Sequence, residues 1–550
     1  MTQGEISRRG FLRGVGGAAL VAGGSAAVGG CGGGDGLGQG GGARAGSDAA
    51  VRLPAYAPKT AVEADLPALP NGTPGALLRY PAAPKRMYEG PPAHGGTIDV
   101  LKMIDGAPPP PVQRNPFWQQ LNKRVGAELQ LNNVIASDYS NKLATLLASG
   151  DLPDLVQLPT NVPHLPDVLA KEFQDLSEWV SGDAVKNYTG LPAMSEVSWK
   201  NVAFNGGIWG VPWQLGLPAS VLEIRQDLVE EKGLTGELHD GQDFLDLCAA
   251  LTDPDHQRWA IGTPSTALNI VREMVGVPNN WKQVDGEFTS MYETEEYRRA
   301  LDIIASLWKK GYIIPDSMNS TAPISDWFGS GRVAMSAGGY TNWALYITAN
   351  KPTNPKFTMG CLVPPKWEGG GQAAHWVGNG MYTFTAVRKA SKARVEELLR
   401  VLDWFAAPFG SEEYTFRRYG VPGRDYTVVK GEPAVTRTGT NEVQNMAIGY
   451  VATCPLLLYI PGQPEATRDE YDALSALMKV TVANPTVGLF SDSALTAGLT
   501  SENKLLDLQN GIIFGREPLS AWDEGVRSWR SGGGDQVRSE YEKAFAAANK

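Results

Sequence analysis

The sequence predicts an α/β fold divided into two lobes, and two observations carry the prediction. Between residues 96 and 158, strand-like and helix-like runs alternate strand, helix, strand, helix, strand, the order that builds a parallel sheet covered by helices. The chain is also 550 residues long. A single hydrophobic core stops growing well before that length, so the ordered part is expected to split in two.

The chain does not open on that fold. Residues 7–34 read SRRGFLRGVGGAALVAGGSAAVGGCGGG. Arg8-Arg9 ahead of Phe11-Leu12 matches the twin-arginine export pattern, a basic stretch before a short apolar one. Val15 to Gly30 is Ala/Gly/Val-rich and too weakly apolar for a membrane span, which takes about 20 strongly apolar residues. Val28-Gly29-Gly30-Cys31 resembles a lipobox, so residues 1–30 are read as a twin-arginine lipoprotein signal peptide removed before an acylated Cys31. Each buried methylene of a lipid contributes about 0.8 kcal/mol, and several chains hold firmly. The mature chain is therefore expected outside the cytoplasm, anchored to the cell membrane. Residues 31–94 read as a flexible tether: mostly Gly, Ala and Ser to about Asp48, then a Pro-rich extended arm over 52–94 that builds no packed core.

GTIDVLKMI (96–104) alternates as a strand does. NPFWQQLNKRVGAEL (115–129) repeats Phe117, Leu121, Val125 and Leu129 at helical spacing, and LNNVIA (131–136) reads as the second strand. In 137–159, Ser137 or Asp138 is expected to cap a helix that ends at Gly150, before Pro153 and a third strand. The runs 220–234, 241–253, 295–313 and 393–408 read as amphipathic helices. GRVAMSAGGYTNWALY (331–346) reads as strand, Gly turn and helix. CPLLLYI (454–460) is a buried strand at most, and the tail from about 465 is helical.

Composition narrows the function classes. The formal charge is −10, and residues 1–30 hold three Arg and one Glu, leaving about −12 on the rest. That offers no basic footprint for nucleic acid. Besides Cys31 the cysteines are Cys248, Cys361 and Cys454, an odd and scattered set with neither a disulfide framework nor a zinc pattern, though one pairing among them stays open. His94, His164, His239, His256 and His375 stand singly. No metal-ligand spacing, G-x-S-x-G elbow or phosphate-cradling loop occurs, so no metal, cofactor or catalytic residue is predicted. After the leader no apolar run reaches membrane length; if the function is transport, the channel is another chain.

From about residue 96 to 430 a series of segments resembles, in family order, the sugar-type extracellular solute-binding lipoproteins of bacterial ABC importers, in particular their long subgroup. These are KLATLLASGDLPDLVQLP (142–159), EFQDLSEWV (172–180), NGGIWGVPW (205–213), IRQDLVEEKGL (224–234), FGSGRVAMSAGG (328–339) and YGVPGRDYTVV (419–429). The resemblance implies a two-lobed, periplasmic-binding-protein-like (type II) fold whose lobes close on a ligand about a hinge. The lobes are expected at 95–212 plus about 333–385, and at about 213–332 plus 386–515, with the helices of 516–550 unassigned. It implies a carbohydrate ligand, an oligosaccharide before a smaller sugar, delivered to ABC permease subunits by a monomer. A peptide, amino acid or quaternary amine is the alternative cargo, and a secreted carbohydrate-active enzyme the second alternative. Some long members carry a calcium loop, but LTDPDHQRWAIG (251–262) supplies only Asp253 and Asp255 where calcium takes six to eight oxygens.

Sugars present flat C–H faces and rings of hydroxyls, which aromatic rings and planar polar groups match. Among 15 Trp and 18 Tyr, those in loops and Gly-flanked turns are the candidates. They are Trp209, Trp213 and the adjacent Gln214; Tyr340 and Trp343 after Gly338-Gly339; Trp376 with Asn379; Trp281; and Tyr419. Asp105, Trp118 and Asp138 complete a first-lobe rim. Trp179, Trp308 and Trp404 read as packing residues. For an enzyme, Asp326 beside Trp327 and Asp403 beside Trp404 are the carboxylates in aromatic company, neighbours that 59 acidic residues produce by chance.

Overall fold

The computed structural model describes residues 51–318 and 323–548; the residues read as an export signal, Cys31 and the first part of the expected tether lie outside the described residues. Five strands make the first sheet: β1 (Thr97–Ile104), β2 (Glu128–Ile135), β3 (Leu155–Leu158), β4 (Val211–Gln214) and β9 (Met381–Val387), in spatial order β2-β1-β3-β9-β4. β1 pairs in parallel with β2 and β3, as the strand–helix alternation predicts. β9 lies antiparallel between β3 and β4. β1 to β4 therefore all run toward one edge, and β9 starts from it.

The second sheet holds β5 (Ser220–Arg225), β6 (Trp259–Ile261), β7 (Val333–Gly339) and β8 (Met359–Cys361), in the order β8-β5-β7-β6. β6 is parallel to β7, and β5 is antiparallel to β7 and β8. Here β6, β7 and β8 run to the edge from which β5 starts. β4 ends at Gln214 and β5 begins at Ser220, so the chain crosses between the lobes in five residues and the two carboxyl edges lie on the hinge side. Further crossings run between β8 and β9 and between Ala452 of the first core and Ile460 of the second lobe. No helix among the described residues is long and apolar enough to cross a membrane.

The helix Pro116–Val125 shows how local sequence sets these elements. Asn115 accepts from the Trp118 N–H at 3.1 Å, Pro116 opens the first turn, and Gly126 ends it in the left-handed region. A Cβ on Gly126 would stand 2.4 Å from the Ala93 carbonyl oxygen, so the turn and the close passage of the N-terminal arm both require glycine.

Several expectations are corrected. The run 220–234 is not one helix: residues 220–225 are β5, buried along five of six positions, and a six-residue helix Gln226–Glu231 follows. An apolar run buried on both faces carries no period that separates strand from helix. The helix Ala136–Ser149 starts straight out of β2, so Ile135 holds the cap position and Asp138 falls in the first turn. Residues 454–460 form no strand; Leu458 makes a lone bridge to Ala76. Cys248, Cys361 and Cys454 are all free thiols.

The lobe boundaries also move. β7 was expected in the first lobe, yet it pairs with β5 and β6 in the second sheet. The helix Lys392–Phe405, expected in the second lobe, buries Val395, Leu398, Leu399, Val401 and Leu402 in the first core, where Phe416, Val443, Met446 and Val451 join it. The C-terminal helices place Trp522, Trp529 and Val537 in the second core.

The Pro-rich arm is extended, as expected, but it is packed. Val51, Leu53 and Ala55 lie on the first core, and the Ala55 N–H donates to the Gly182 carbonyl at 2.9 Å. Leu66 and Ala76 then pack with Val221, Leu474 and Leu477 of the second lobe. Leu77 and Tyr80 return to Phe409, Tyr414 and Tyr419, and the Tyr88 hydroxyl donates to the Asp403 carbonyl at 2.6 Å. The arm straps one lobe to the other. Composition does not distinguish a solvated proline-rich segment from one lying in a groove, since neither needs internal hydrogen bonds.

Candidate functional site

The carboxyl edge of the first sheet gathers one polar and aromatic group. In register, Ile104 faces Ile135, and Met381 and Thr383 face Gln214 and Trp213. Asp105, directly after β1, thus shares the edge with Asp138, Trp213, Gln214 and Tyr382. Pairing between β9 and β4 slips between Met381 and Thr383, and such irregularities turn a side chain out of the pleat. Tyr382 sits in that slip and is 38 % exposed.

Tyr450 completes the group from a short turn, Ile448–Tyr450, that follows Ala447 at φ 48°. Its hydroxyl donates to Asp105. The ring centroids of Trp213 and Tyr382 are 5.5 Å apart, those of Trp213 and Tyr450 5.4 Å, and those of Tyr382 and Tyr450 6.2 Å. The Trp213 indole N–H has no partner within the described structure. Burial and the Asp105 charge raise the Tyr450 and Tyr382 hydroxyls above the usual phenol range, so both stay protonated donors at neutral pH. Beneath them the fully buried Lys102 donates to the Met446 carbonyl, and burial pushes its amine down to about 7.

Gln214 and Asn379 brace this edge. The Gln214 side-chain oxygen accepts from the Ser195 N–H at 2.6 Å. The Asn379 side-chain oxygen accepts from Met381 at 3.1 Å, and its carbonyl from Asn201 at 2.7 Å. Both fix where β4 ends and β9 begins. Trp376 lies in the crossing between β8 and β9, with its indole N–H on the Val277 carbonyl and the Arg272 guanidinium 4.5 Å over its ring.

The other predicted residues are packed away. Trp118 is buried with its indole N–H on the Leu129 carbonyl, and Trp209 donates to the Phe204 carbonyl against the first core. Trp281 sits among Phe288, Trp529 and Tyr541. Tyr340 and Trp343 are buried in the second lobe, and Tyr419 meets Tyr80 edge-on at 5.4 Å. A Gly-flanked turn promised exposure at Tyr340 and Trp343, but the helix that follows folds both rings inward. Tyr382 and Tyr450 were missed, although GYV at 449–451 carries the same Gly-aromatic signal.

Neither carboxylate proposed for an enzyme belongs to this edge. Asp403 is buried and accepts from the Thr189, Gly190 and Leu191 N–H groups at 2.7–3.0 Å, and Asp326 lies in the first turn of the helix Ile324–Ser330. Asp253 is held by the His256 N–H and ring. A hollow of about 370 Å³ beside Ser501, Lys504 and Trp529 shares no residue with the edge.

Trp343→Ala is therefore expected to lower stability by about 3–5 kcal/mol, the range for emptying a large core site, as read from urea unfolding. Trp213→Ala, at a half-buried rim, is expected to cost far less stability; equal losses from the two would sink the distinction between core and rim.

Comparison with known proteins bears on what such an edge belongs to. The family model of bacterial extracellular solute-binding proteins matches residues 117–402. The polygalacturonan/rhamnogalacturonan-binding protein YtcQ of Bacillus subtilis is 24 % identical over 450 residues, covering 78 % of this chain and 88 % of YtcQ. Lipoprotein LipO of the same organism is 22 % identical, covering 82 % of this chain and 93 % of its own. Among solved structures, the substrate-binding protein FusA of S. pneumoniae in complex with kestose superposes with a TM-score of 0.61 at 15 % identity, over 82 % of this chain and all of that one.

Proposed function

The chain belongs to the family of bacterial extracellular solute-binding proteins, and from that premise we propose that it captures a carbohydrate between its two lobes and delivers it to an ABC permease. The observation that carries the reading is the open group of Trp213, Tyr382 and Tyr450 beside Asp105 at the hinge-side edge of the first sheet. Three rings offer apolar faces to sugar C–H groups, and a carboxylate beside them accepts from hydroxyls. Open α/β sheets bind ligands outside the carboxyl ends of their strands, and closure about a few hinge residues gives a permease two shapes to distinguish. YtcQ and FusA, by their names, bind or hold saccharides, which supports carbohydrate as the class of cargo without fixing its charge.

The protein acts without catalysis of its own, as a monomer, held to the cell membrane through an acylated Cys31 after twin-arginine export. The deciding measurement is a thermal-shift screen against oligosaccharides, amino acids, short peptides and quaternary amines, with product analysis of the same wells. A ligand at 100 times its Kd adds about 2.7 kcal/mol of stability. A shift with intact sugar recovered is the expected result. Cleaved sugar means an enzyme, and shifts with peptides or amines alone discard the carbohydrate. Trp213→Ala and Tyr382→Ala are each expected to weaken binding roughly ten- to hundredfold, the value of one large apolar contact.

A further inference from the structure

The charge around the edge selects within the carbohydrates. Asp105 and Asp138 both stand there, exposed. One Asp105 oxygen takes the Tyr450 hydroxyl, which leaves the other open to a ligand donor. Among the described residues no Arg or Lys forms an ion pair or hydrogen bond with Asp105 or Asp138, and none stacks on Trp213, Tyr382 or Tyr450. Lys102, the nearby cation, is fully buried, its amine is given to the Met446 carbonyl, and two aromatic rings and Met103 lie along the same edge.

The facing edge presents no Arg or Lys at the ends of β6 and β7. β6 and β7 end on the hinge side in Thr263, Ser265, Thr341 and Asn342, three hydroxyls and an amide. A ligand carboxylate held at these strand ends would lose its water without gaining a cation from them, and beside Asp105 it would meet a like charge. Burial of an unpaired charge is costly, and like charges about 4 Å apart at a protein surface repel by enough to weaken binding roughly a thousandfold.

We propose that the ligand is a neutral oligosaccharide, and that Asp105, by accepting a sugar hydroxyl while repelling carboxylates, is the residue that excludes uronate-containing glycans. This rests on the carbohydrate reading above and deepens it. Asp105 is a binding residue here, with Tyr450 positioning its carboxylate.

The test is isothermal titration at pH 7 against two sets of probes. The neutral set is maltotriose, cellotriose, xylotriose, mannotriose, kestose and the trimethyl ester of trigalacturonic acid. The charged set is trigalacturonic acid, trimannuronic acid and a glucuronic-acid-substituted xylotriose. Binding confined to the neutral set, with a Kd that changes little between 20 mM and 500 mM salt, is expected. Equal or tighter binding of a uronate overturns the inference while leaving carbohydrate capture intact, and failure of every sugar overturns both. Asp105→Asn, which keeps an oxygen for Tyr450, is expected to weaken the neutral ligand about tenfold and to narrow the gap to its charged counterpart at least tenfold. A gap unchanged in that variant removes Asp105 from the role, because a purely structural residue would shift both ligands alike.

Discussion

A chain lacking residues 51–94 is expected to lose more than about 5 kcal/mol of stability, since Leu77 and Tyr80 alone each bury an apolar side chain worth roughly 1.5–3 kcal/mol, and their removal uncovers the groups beneath. Ala76 is fully buried, Leu77 is 3 % exposed and Tyr80 7 %. Tyr80 touches Phe409, Tyr419 and Tyr459 and shares a 2.6 Å hydrogen bond with Thr415. Tyr80→Ala by itself is expected to cost about 3–5 kcal/mol. Tyr56→Ala, at a position 64 % exposed, should stay within about 0.5 kcal/mol. Denaturant unfolding of the three variants measures this. If the shortened chain unfolds at the midpoint of the longer one, the arm is a tether after all.

The second large effect is on pH dependence. Glu223 on β5 and Glu470 on the helix Pro464–Leu477 are both buried, and neither Glu223 oxygen has a hydrogen-bond partner. Burial, with Glu470 as a like-charged neighbour, raises the Glu223 carboxyl well above the usual range, and burial raises that of Glu470 to about 8. The folded protein thus keeps protons that the unfolded chain releases near pH 4.5. This contribution to stability is fully present below that pH and is lost as pH rises, for Glu470 up to about 8 and at about 1.4 kcal/mol per pH unit. Glu470→Gln, which mimics the protonated acid, is expected to flatten the decline and to be more stable than the parent at pH 8, while matching it at pH 4.5. Parallel stability curves for the two proteins between those pH values would refute this.

Much of the fold was legible because it depends on near neighbours. Asn115, Pro116 and Gly126 mark both ends of a helix within a dozen residues, and the apolar spacing between them names its buried face. The strand–helix alternation of 96–158 likewise produced β1, β2 and β3 in parallel. β5 was misread because a run buried on both sides looks alike as strand or helix. At the candidate edge, the placing of Asp105 and Trp213 was legible from turn position, whereas Tyr382 owes its exposure to a slip in strand register that pairing with β4 creates. Rings such as Trp343 and Tyr340 satisfied the same local signals and were buried by elements the signals do not see.

The sequence by itself determined the strand–helix order of residues 96–158 and the kinship of the chain, since each is written in residues a few positions apart or in their order along it. Only the tertiary structure decided which segments share a lobe, that the arm is a strap, and which aromatics stay open. Those outcomes hang on contacts such as Tyr450 with Asp105, 345 residues apart, and Ala76 with Leu458. Burial is a property of what arrives from elsewhere in the chain, and no local pattern contains it.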